Sequence, residues 1–225
     1  MANIVLVHGA WSDGSVWQGV SAALHDEGHR VLAIQLPLTS LDEDIAWTRR
    51  EMAALDGPVT LVGHSYGGAV ISGAAREAER AAALVFVAAY VPDEGDTIAA
   101  LSGRGARTPG SAAIRFAGDG WSRIDASLFG DALCADLPAT TARVLAAAQK
   151  PTHGACFRAA SARGAWHDLP CAYVLSSGDR ILDPGLQRWF AERANATPTV
   201  LRAGHLSPLS RPEAVAAAIT AASAG

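Results

Sequence analysis

The sequence predicts an α/β fold, with a mostly parallel sheet of about six strands and helices on both of its faces. Two observations predict this fold. Short β-branched apolar runs, each bounded by Gly, Pro or polar residues, recur along the 225 residues, and Ala-rich amphipathic stretches separate them. Continuous apolar strands that alternate with helices are typical of a parallel sheet buried on both sides. The predicted strands span residues 4–7, 31–34, 59–62, 84–87, 172–175 and 199–201.

The helices between these strands are predicted from their apolar faces and from signals at their ends. Ser40 is the predicted N-cap of the second helix, and Pro184 lies in the first turn of the fourth. The pattern Ser210-Arg-Pro-Glu213 predicts a capping box at the start of the last helix. The predicted helices span residues 16–25, 41–55, 66–78, 184–193 and 210–222.

Residues 92–166 interrupt the alternation of strands and helices. They contain several glycine-rich turns, one helix-like segment at 140–149 and no convincing strand. We interpret them as an insertion that packs over the carboxyl edge of the sheet. Residues 1–91 and 167–225 then form the core of one domain.

Apolar side chains of the insertion are candidates for the wall of a hydrophobic substrate pocket. Trp121 and Phe129 are the first choices there, together with Trp11 from the core. The alternative is that the aromatic residues of the insertion form its own hydrophobic core. Trp17 is predicted to lie on the buried face of the first helix. The wider set of candidates in the insertion is Phe116, Trp121, Leu128, Phe129, Leu133, Phe157 and Trp166.

Composition excludes several classes of protein. Half of the residues (50%) are hydrophobic and 18% are charged, so a large core is expected and disorder is not. The formal net charge is −4, which does not favour binding to nucleic acid or to an anionic membrane. No basic segment followed by a long apolar run opens the sequence, so neither a signal peptide nor a membrane span is expected.

The cysteines favour free thiols over a metal site. Cys134, Cys156 and Cys171 are widely spaced and odd in number, and no C-x-x-C spacing or Cys/His cluster occurs. Free thiols fit a reducing cytoplasm. We therefore expect a cytoplasmic protein without a bound metal.

The segment Gly63-His64-Ser65-Tyr66-Gly67 is a G-x-S-x-G motif directly after an apolar run and before a helical stretch. This motif requires a strand, a very tight turn and a helix, so that the serine hydroxyl projects above the sheet. The glycines avoid collisions with the turn. The alternative is a glycine-rich turn with an incidental serine. The context favours Ser65 as a nucleophile.

A second loop, His8-Gly9-Ala10-Trp11, follows the first predicted strand. Where a G-x-S-x-G serine acts as nucleophile, a loop at this place supplies one backbone N–H donor for the oxyanion. The residue after the nucleophile supplies the other. We assign the two donors to the N–H groups of Ala10 and Tyr66. Trp11 is the alternative to Ala10.

The acid and the base follow the nucleophile in chain order in hydrolases that contain this motif. Asp179 follows the predicted strand at 172–175 and is the first choice for the acid. Asp183 is the second choice, although its place before Pro184 favours a helix N-cap. Among the seven histidines, only His205 follows the acid, and it comes after the last predicted strand. It is therefore the candidate base.

Taken together, these segments resemble the α/β-hydrolase superfamily in order and context. Within it, the chain is similar to compact bacterial esterases akin to plant methylesterases and hydroxynitrile lyases. The resemblance implies a carboxylic ester hydrolase that needs no cofactor and forms an acyl-enzyme. The insertion at residues 92–166 resembles the lid of this superfamily. The matching segments are His8-Gly-Ala-Trp11, Gly63-His-Ser-Tyr-Gly-Gly68, Ser177-Gly-Asp-Arg-Ile-Leu-Asp-Pro184 and Ala203-Gly-His-Leu206.

Three departures narrow the chemistry that the resemblance implies. The lyases carry a lysine after the catalytic histidine, where this chain has Leu206, and a threonine where it has Gly9. Cyanohydrin cleavage is therefore disfavoured. Epoxide hydrolases and haloalkane dehalogenases carry an aspartate at the nucleophile position, where this chain has Ser65.

The functional hypothesis is cleavage of a small, fairly apolar carboxylic ester or lactone. An alternative uses the same three groups for acyl transfer, cyclisation or C–C bond hydrolysis. A third hypothesis is a binding protein with vestigial turnover, which the intact set of groups disfavours. The expected partner is a small-molecule ester, and a homodimer is left open.

Overall fold

The computed structural model describes residues 1–224, and within them the secondary structure follows the alternation seen in the sequence. The strands are β1 (Asn3–Val7), β2 (Arg30–Ala33), β3 (Val59–His64), β4 (Ala81–Val87), β5 (Ile114–Phe116), β6 (Trp121–Ile124), β7 (Thr152–His153), β8 (Cys171–Ser176) and β9 (Pro198–Leu201). The α-helices are α1 (Gln18–Asp26), α2 (Leu41–Ala53), α3 (Gly67–Ala74), α4 (Ile98–Ser102), α5 (Phe129–Leu133), α6 (Ala139–Ala148), α7 (Ala155–Arg158), α8 (Pro184–Arg193), α9 (Ser207–Ser210) and α10 (Pro212–Ser223).

The main sheet has six parallel strands in the order β2-β1-β3-β4-β8-β9. All six were predicted, so the predicted fold class is confirmed. Side chains of β1 alternate between the two faces of the sheet, as the pleat requires. Ile4 and Leu6 join one buried cluster, and Val5 and Val7 join the other. Both faces of the sheet are therefore covered.

Helices α1 and α10 cover one face, and α2, α3 and α8 cover the other. Trp17 is fully buried against the first face, as predicted. The Ser40 side chain accepts a hydrogen bond from the Glu43 N–H, and Pro184 begins α8, so both predicted end signals are confirmed. None of the helices formed by residues 1–224 combines the length and the apolar character needed to span a lipid bilayer.

The predicted capping box at the last helix is wrong. Ser210 ends the short helix α9, and α10 begins at Pro212 with Arg211 as its N-cap, which makes no side-chain capping bond. The N–H of Ser210 donates to the carbonyl of Leu206 (3.2 Å), so this residue is already inside a helical turn. A residue in helical conformation cannot take the extended backbone that an N-cap needs.

The prediction that residues 92–166 contain no strand is also wrong. Strands β5, β6 and β7 form a second, antiparallel sheet there. They are only three, four and two residues long, below the length at which an alternating pattern becomes recognisable. The helix predicted at 140–149 is present as α6.

Candidate active site

The predicted site residues lie at the carboxyl edge of the main sheet, where its strand order reverses. From β1 the chain passes to β2 at one side, and from β3 it runs through β4, β8 and β9 to the other. Ligands of open parallel sheets bind at such a reversal point. Gly9 follows β1 there, and Ser65 follows β3. Asp179 and His205 follow β8 and β9.

Ser65 occupies a strained turn between β3 and α3. Its φ is 54°, a left-handed conformation that is rare for a residue with a side chain. Its N–H donates to the Val87 carbonyl (3.1 Å), and its carbonyl accepts from the N–H groups of Gly68 (3.0 Å) and Tyr90 (3.1 Å). A Cβ at Gly63 would lie 2.5 Å from the Gly67 oxygen. Glycine is therefore required where the strand and the helix meet.

His205 and Asp179 form a buried pair. The Nδ1 atom of His205 lies 2.6 Å from Oδ2 of Asp179, and the carboxylate side chain is fully buried. Because a carboxylate accepts and does not donate, Nδ1 carries the proton and donates it to Asp179. Nε2 of the neutral imidazole is then the unprotonated nitrogen. The pair has the geometry of a general base and the acid that orients it.

Three further donors hold the Asp179 carboxylate. Oδ1 accepts from the N–H groups of Ile181 and Leu182, each at 2.9 Å. Oδ2 also accepts from the Gln187 side-chain amide at 2.8 Å. Gln187 was missed by sequence reasoning, and its one signal was a polar residue on the buried face of α8. These bonds fix the direction from which the carboxylate meets His205.

Asp183, the alternative acid, has a different task. Its Oδ2 accepts from the Leu186 N–H at 2.9 Å and caps α8. The N-cap interpretation of Asp183 is therefore confirmed. Its carboxylate makes no hydrogen bond to a histidine within residues 1–224.

Ser65 and His205 line the same cavity. The Ser65 hydroxyl makes no hydrogen bond to a protein group among the described residues, and Ser65 is 9% exposed. Hydrogen bonds between a nucleophile and its base often close only when substrate is bound. Among the described residues, no other protein group therefore holds the hydroxyl away from the cavity that it shares with His205.

The two predicted oxyanion donors differ from Trp11 in their hydrogen bonding. The N–H of Trp11 donates to Oγ1 of Thr152 (2.9 Å). Within residues 1–224, the N–H groups of Ala10 and Tyr66 have no protein acceptor. A Cβ at Gly9 would lie 2.8 Å from Cβ of Ser65, so the loop approaches the serine closely. These contacts favour Ala10 over Trp11 as the first donor.

The insertion holds this loop in place. The indole N–H of Trp11 donates to the Ser122 hydroxyl (3.0 Å), and Ser122 in turn donates to the Thr152 carbonyl (2.7 Å). Ser122 lies in β6 and Thr152 in β7. Trp11 itself has a φ of 56°. Ser122 and Thr152 were not predicted as supports of this loop, because no strands were predicted in residues 92–166.

The cavity has a volume of about 460 Å³ and is mainly apolar. This volume is within the range of small-molecule sites, roughly 300–1,000 Å³. Trp11 lines it, as do Phe116 and Phe157 of the insertion. Other apolar residues of its wall are Tyr90, Ile98, Ile114 and Leu186.

Two of the predicted pocket residues lie elsewhere. Phe129 is 2% exposed and packs inside the insertion with Ile124 and Leu133. It therefore belongs to the insertion's own hydrophobic core, which was the alternative to a place in the pocket. Trp121 contacts the imidazole of His153 across β6 and β7, with 5.3 Å between the ring centroids, and borders an outer groove. Neither Trp121 nor Phe129 lines the cavity that holds Ser65 and His205, so both assignments to the substrate pocket are wrong.

A buried carboxylate lies behind the nucleophile turn. The Tyr66 hydroxyl donates to Oδ2 of Asp44 (2.7 Å), and the Leu38 N–H donates to Oδ1 (2.8 Å). Burial raises the pKa of Asp44 above its ordinary value and that of Tyr66 well above 10. The phenol is therefore protonated at neutral pH, as a donor to Asp44 must be.

Comparison with known proteins gives a family match over most of the chain and partial matches to individual enzymes. A family model described as the alpha/beta hydrolase family matches residues 4–218. Over 116 residues, 45% of this chain, the sequence is 41% identical to a carbendazim-hydrolysing esterase of Nocardioides sp. strain SG-4G. It is 38% identical over 104 residues, 40% of this chain, to methylesterase 7 of Arabidopsis thaliana.

These sequence matches are partial, whereas a structural match covers nearly the whole chain. The aligned part spans 47% of the length of the carbendazim-hydrolysing esterase and 40% of that of the methylesterase. The crystal structure of a pyrethroid hydrolase from Sphingobium faniae JZ-2 aligns with a TM-score of 0.85 and 23% identity. That alignment covers 98% of this chain and 96% of the other. At this identity the likeness is one of fold.

Proposed function

This chain belongs to the α/β-hydrolase family, and we propose that it is a serine esterase that cleaves small, fairly apolar carboxylic esters or lactones. The observation that carries the proposal is the meeting of Ser65 and His205 at one apolar cavity, with Asp179 2.6 Å behind the imidazole. The partial similarity to a carbendazim-hydrolysing esterase and to a methylesterase supports ester cleavage.

In the proposed first half-reaction, Ser65 is the nucleophile. Its Oγ attacks the ester carbonyl carbon while Nε2 of His205 accepts the hydroxyl proton. The Asp179 carboxylate stabilises the imidazolium that forms, and it also keeps Nδ1 protonated. His205 then gives the proton to the leaving alkoxide oxygen. An alcohol leaves, and the acyl group remains as an ester on Ser65.

The second half-reaction repeats these steps with water. His205 takes a proton from a water molecule, whose oxygen attacks the acyl carbon. The tetrahedral intermediate collapses, the proton passes to Oγ of Ser65, and a carboxylic acid is released. In both half-reactions the negatively charged oxygen accepts hydrogen bonds from the N–H groups of Ala10 and Tyr66. In comparable sites, one such donor lowers the free energy of the transition state by about 3 kcal/mol.

We also propose the reducing cytoplasm as the compartment. Cys134, Cys156 and Cys171 are free thiols in the structure. Burial raises the pKa of each to about 12, so all three stay protonated and unreactive at neutral pH. Thiols of this kind need no oxidising environment.

A panel of p-nitrophenyl esters from acetate to decanoate tests the proposed function. We expect burst release of p-nitrophenol and a maximum at short or medium acyl chains, because a cavity of about 460 Å³ limits the size of the acyl chain that it can hold. A fluorophosphonate should phosphonylate Oγ of Ser65 in the same protein, with release of fluoride, and the mass should rise by that of the reagent minus HF. A folded protein that neither hydrolyses any ester nor accepts the label contradicts the proposal. Products other than the acid, formed with an added alcohol, would favour acyl transfer.

Asp179→Asn is expected to lower kcat by roughly 10³- to 10⁴-fold, because the amide no longer selects the Nδ1–H tautomer of His205. The matched control is Asp183→Asn. Asn is as good an N-cap as Asp, so kcat should stay within about threefold and α8 should keep its cap. Steady-state kinetics on one ester measures both. If Asp183→Asn were the inactive variant, the role of acid would move to that residue.

A further inference from the structure

His64 immediately precedes the nucleophile, and its side chain contacts the base. It ends β3 and is 1% exposed. Its Nε2 lies 2.9 Å from the backbone carbonyl oxygen of His205. Because a carbonyl only accepts, Nε2 carries the hydrogen and donates it. The centroids of the two imidazole rings are 4.7 Å apart.

The other ring nitrogen of His64 makes this bond unusual. Nδ1 is buried and has no hydrogen-bond partner within residues 1–224. A buried acceptor without a partner destabilises the folded state, because it has lost its hydrogen bonds to water and gained none in return. Burial, and after it the neighbouring His205, lowers the pKa of His64 well below 6.5, so the ring is neutral at pH 7. An apolar side chain would avoid the cost of the orphaned nitrogen, which points to a use for the bond itself.

We propose that His64 is a positioning residue that holds the backbone of His205 so that its imidazole faces Ser65. This inference rests on the proposed function. His205 lies in a loop beyond β9, and Asp179 holds only its ring. Elsewhere in the loop, the Ala203 carbonyl accepts from the Gly178 N–H (2.9 Å) and the Leu206 N–H donates to the Leu133 carbonyl (3.3 Å), and neither bond reaches β3. The bond from His64 therefore connects the base to the strand that carries the nucleophile.

If His64 positions the base, loss of its hydrogen bond should change kcat and not KM. A shift of the base by about 1 Å costs roughly 10²-fold in rate when substrate binding is unchanged. Loss of the His64 bond should therefore lower kcat and leave KM nearly as it was. A purely space-filling role would leave kcat unchanged in a folded variant.

The pair His64→Gln and His64→Asn separates these roles. The side-chain nitrogen of Gln extends as far as Nε2 and can donate to the His205 carbonyl, whereas that of Asn ends near the place of Nδ1. Both bury one amide, so their effects on the free energy of unfolding should be similar. We expect His64→Gln to keep about a third or more of kcat, and His64→Asn to lose about 10- to 100-fold with KM within about threefold.

Equal kcat values for the two folded variants, whether both high or both low, would overturn the proposal. An NMR measurement keeps it testable if either variant fails to fold. In ¹⁵N-labelled wild-type protein at pH 7, the Nε2–H proton of His64 should appear and exchange slowly with solvent. The absence of a protected proton would refute the bond. A wild-type protein with the protected proton but without Ser65-dependent hydrolysis would instead refute the proposed function.

Discussion

Ser65→Ala is expected to lower kcat by about 10⁵- to 10⁶-fold while the protein stays folded, because the variant lacks the hydroxyl that we propose attacks the substrate carbonyl. His205→Ala should cause a loss of similar size. The double variant should be no slower than either single variant, since the two groups act as one unit. The remaining rate, roughly 10³-fold above the reaction in water, would come from the oxyanion donors and from substrate binding.

Ser72→Ala is the matched control for this experiment. Ser72 is also a buried serine of the segment around α3, and its hydroxyl donates to the Gly68 carbonyl (2.8 Å) without lining the cavity. Its kcat should stay close to that of the wild type, while its free energy of unfolding falls by about 1 kcal/mol. Initial rates on one p-nitrophenyl ester measure every variant. A folded Ser65→Ala protein with more than about 1% of wild-type kcat would show that another group is the nucleophile.

The candidate site could be predicted from the sequence because its residues follow strands. Each strand of the main sheet is an apolar run, and parallel strands place their carboxyl ends at one edge. Chain order alone then left one histidine after the acid, His205. The same reasoning separated Asp179 from Asp183, since only the first comes soon after a strand and the second precedes a proline at the start of a helix.

The supporting contacts could not be predicted because they depend on tertiary structure. Gln187 meets Asp179 only because α8 turns back across the end of β8, and no local pattern encodes that meeting. Thr152 and Ser122 hold Trp11 from strands of two and four residues. In strands this short, a change of register by one residue reverses the direction of every side chain. The assignment of Trp121 to the pocket failed because no strand was predicted there, so the direction of its side chain could not be derived.

Gly68, directly after the G-x-S-x-G motif, packs against the backbone that follows β4. A Cβ at Gly68 would lie 2.2 Å from the Tyr90 carbonyl oxygen and 2.9 Å from Cβ of Ala89. The Tyr90 N–H donates to the Ser65 carbonyl (3.1 Å), so this backbone cannot retreat without breaking the nucleophile turn. Real Cβ atoms do not approach backbone so closely. Strain caused by a side chain at position 68 would therefore be transmitted through the Tyr90 backbone to Ser65.

Gly68→Ala is accordingly expected to lower the free energy of unfolding by more than about 4 kcal/mol, out of a total of about 5–15 kcal/mol for a domain. Denaturant unfolding followed by circular dichroism measures the loss, and failure to yield soluble protein counts as the extreme case. Gly118→Ala is the matched control: its Cβ would meet no atom within 4 Å, and its φ is not left-handed. Its stability should change by no more than about 1 kcal/mol, with an increase favoured. If Gly68→Ala unfolded like the control, the close packing of α3 against the backbone after β4 would not be the constraint that positions the nucleophile.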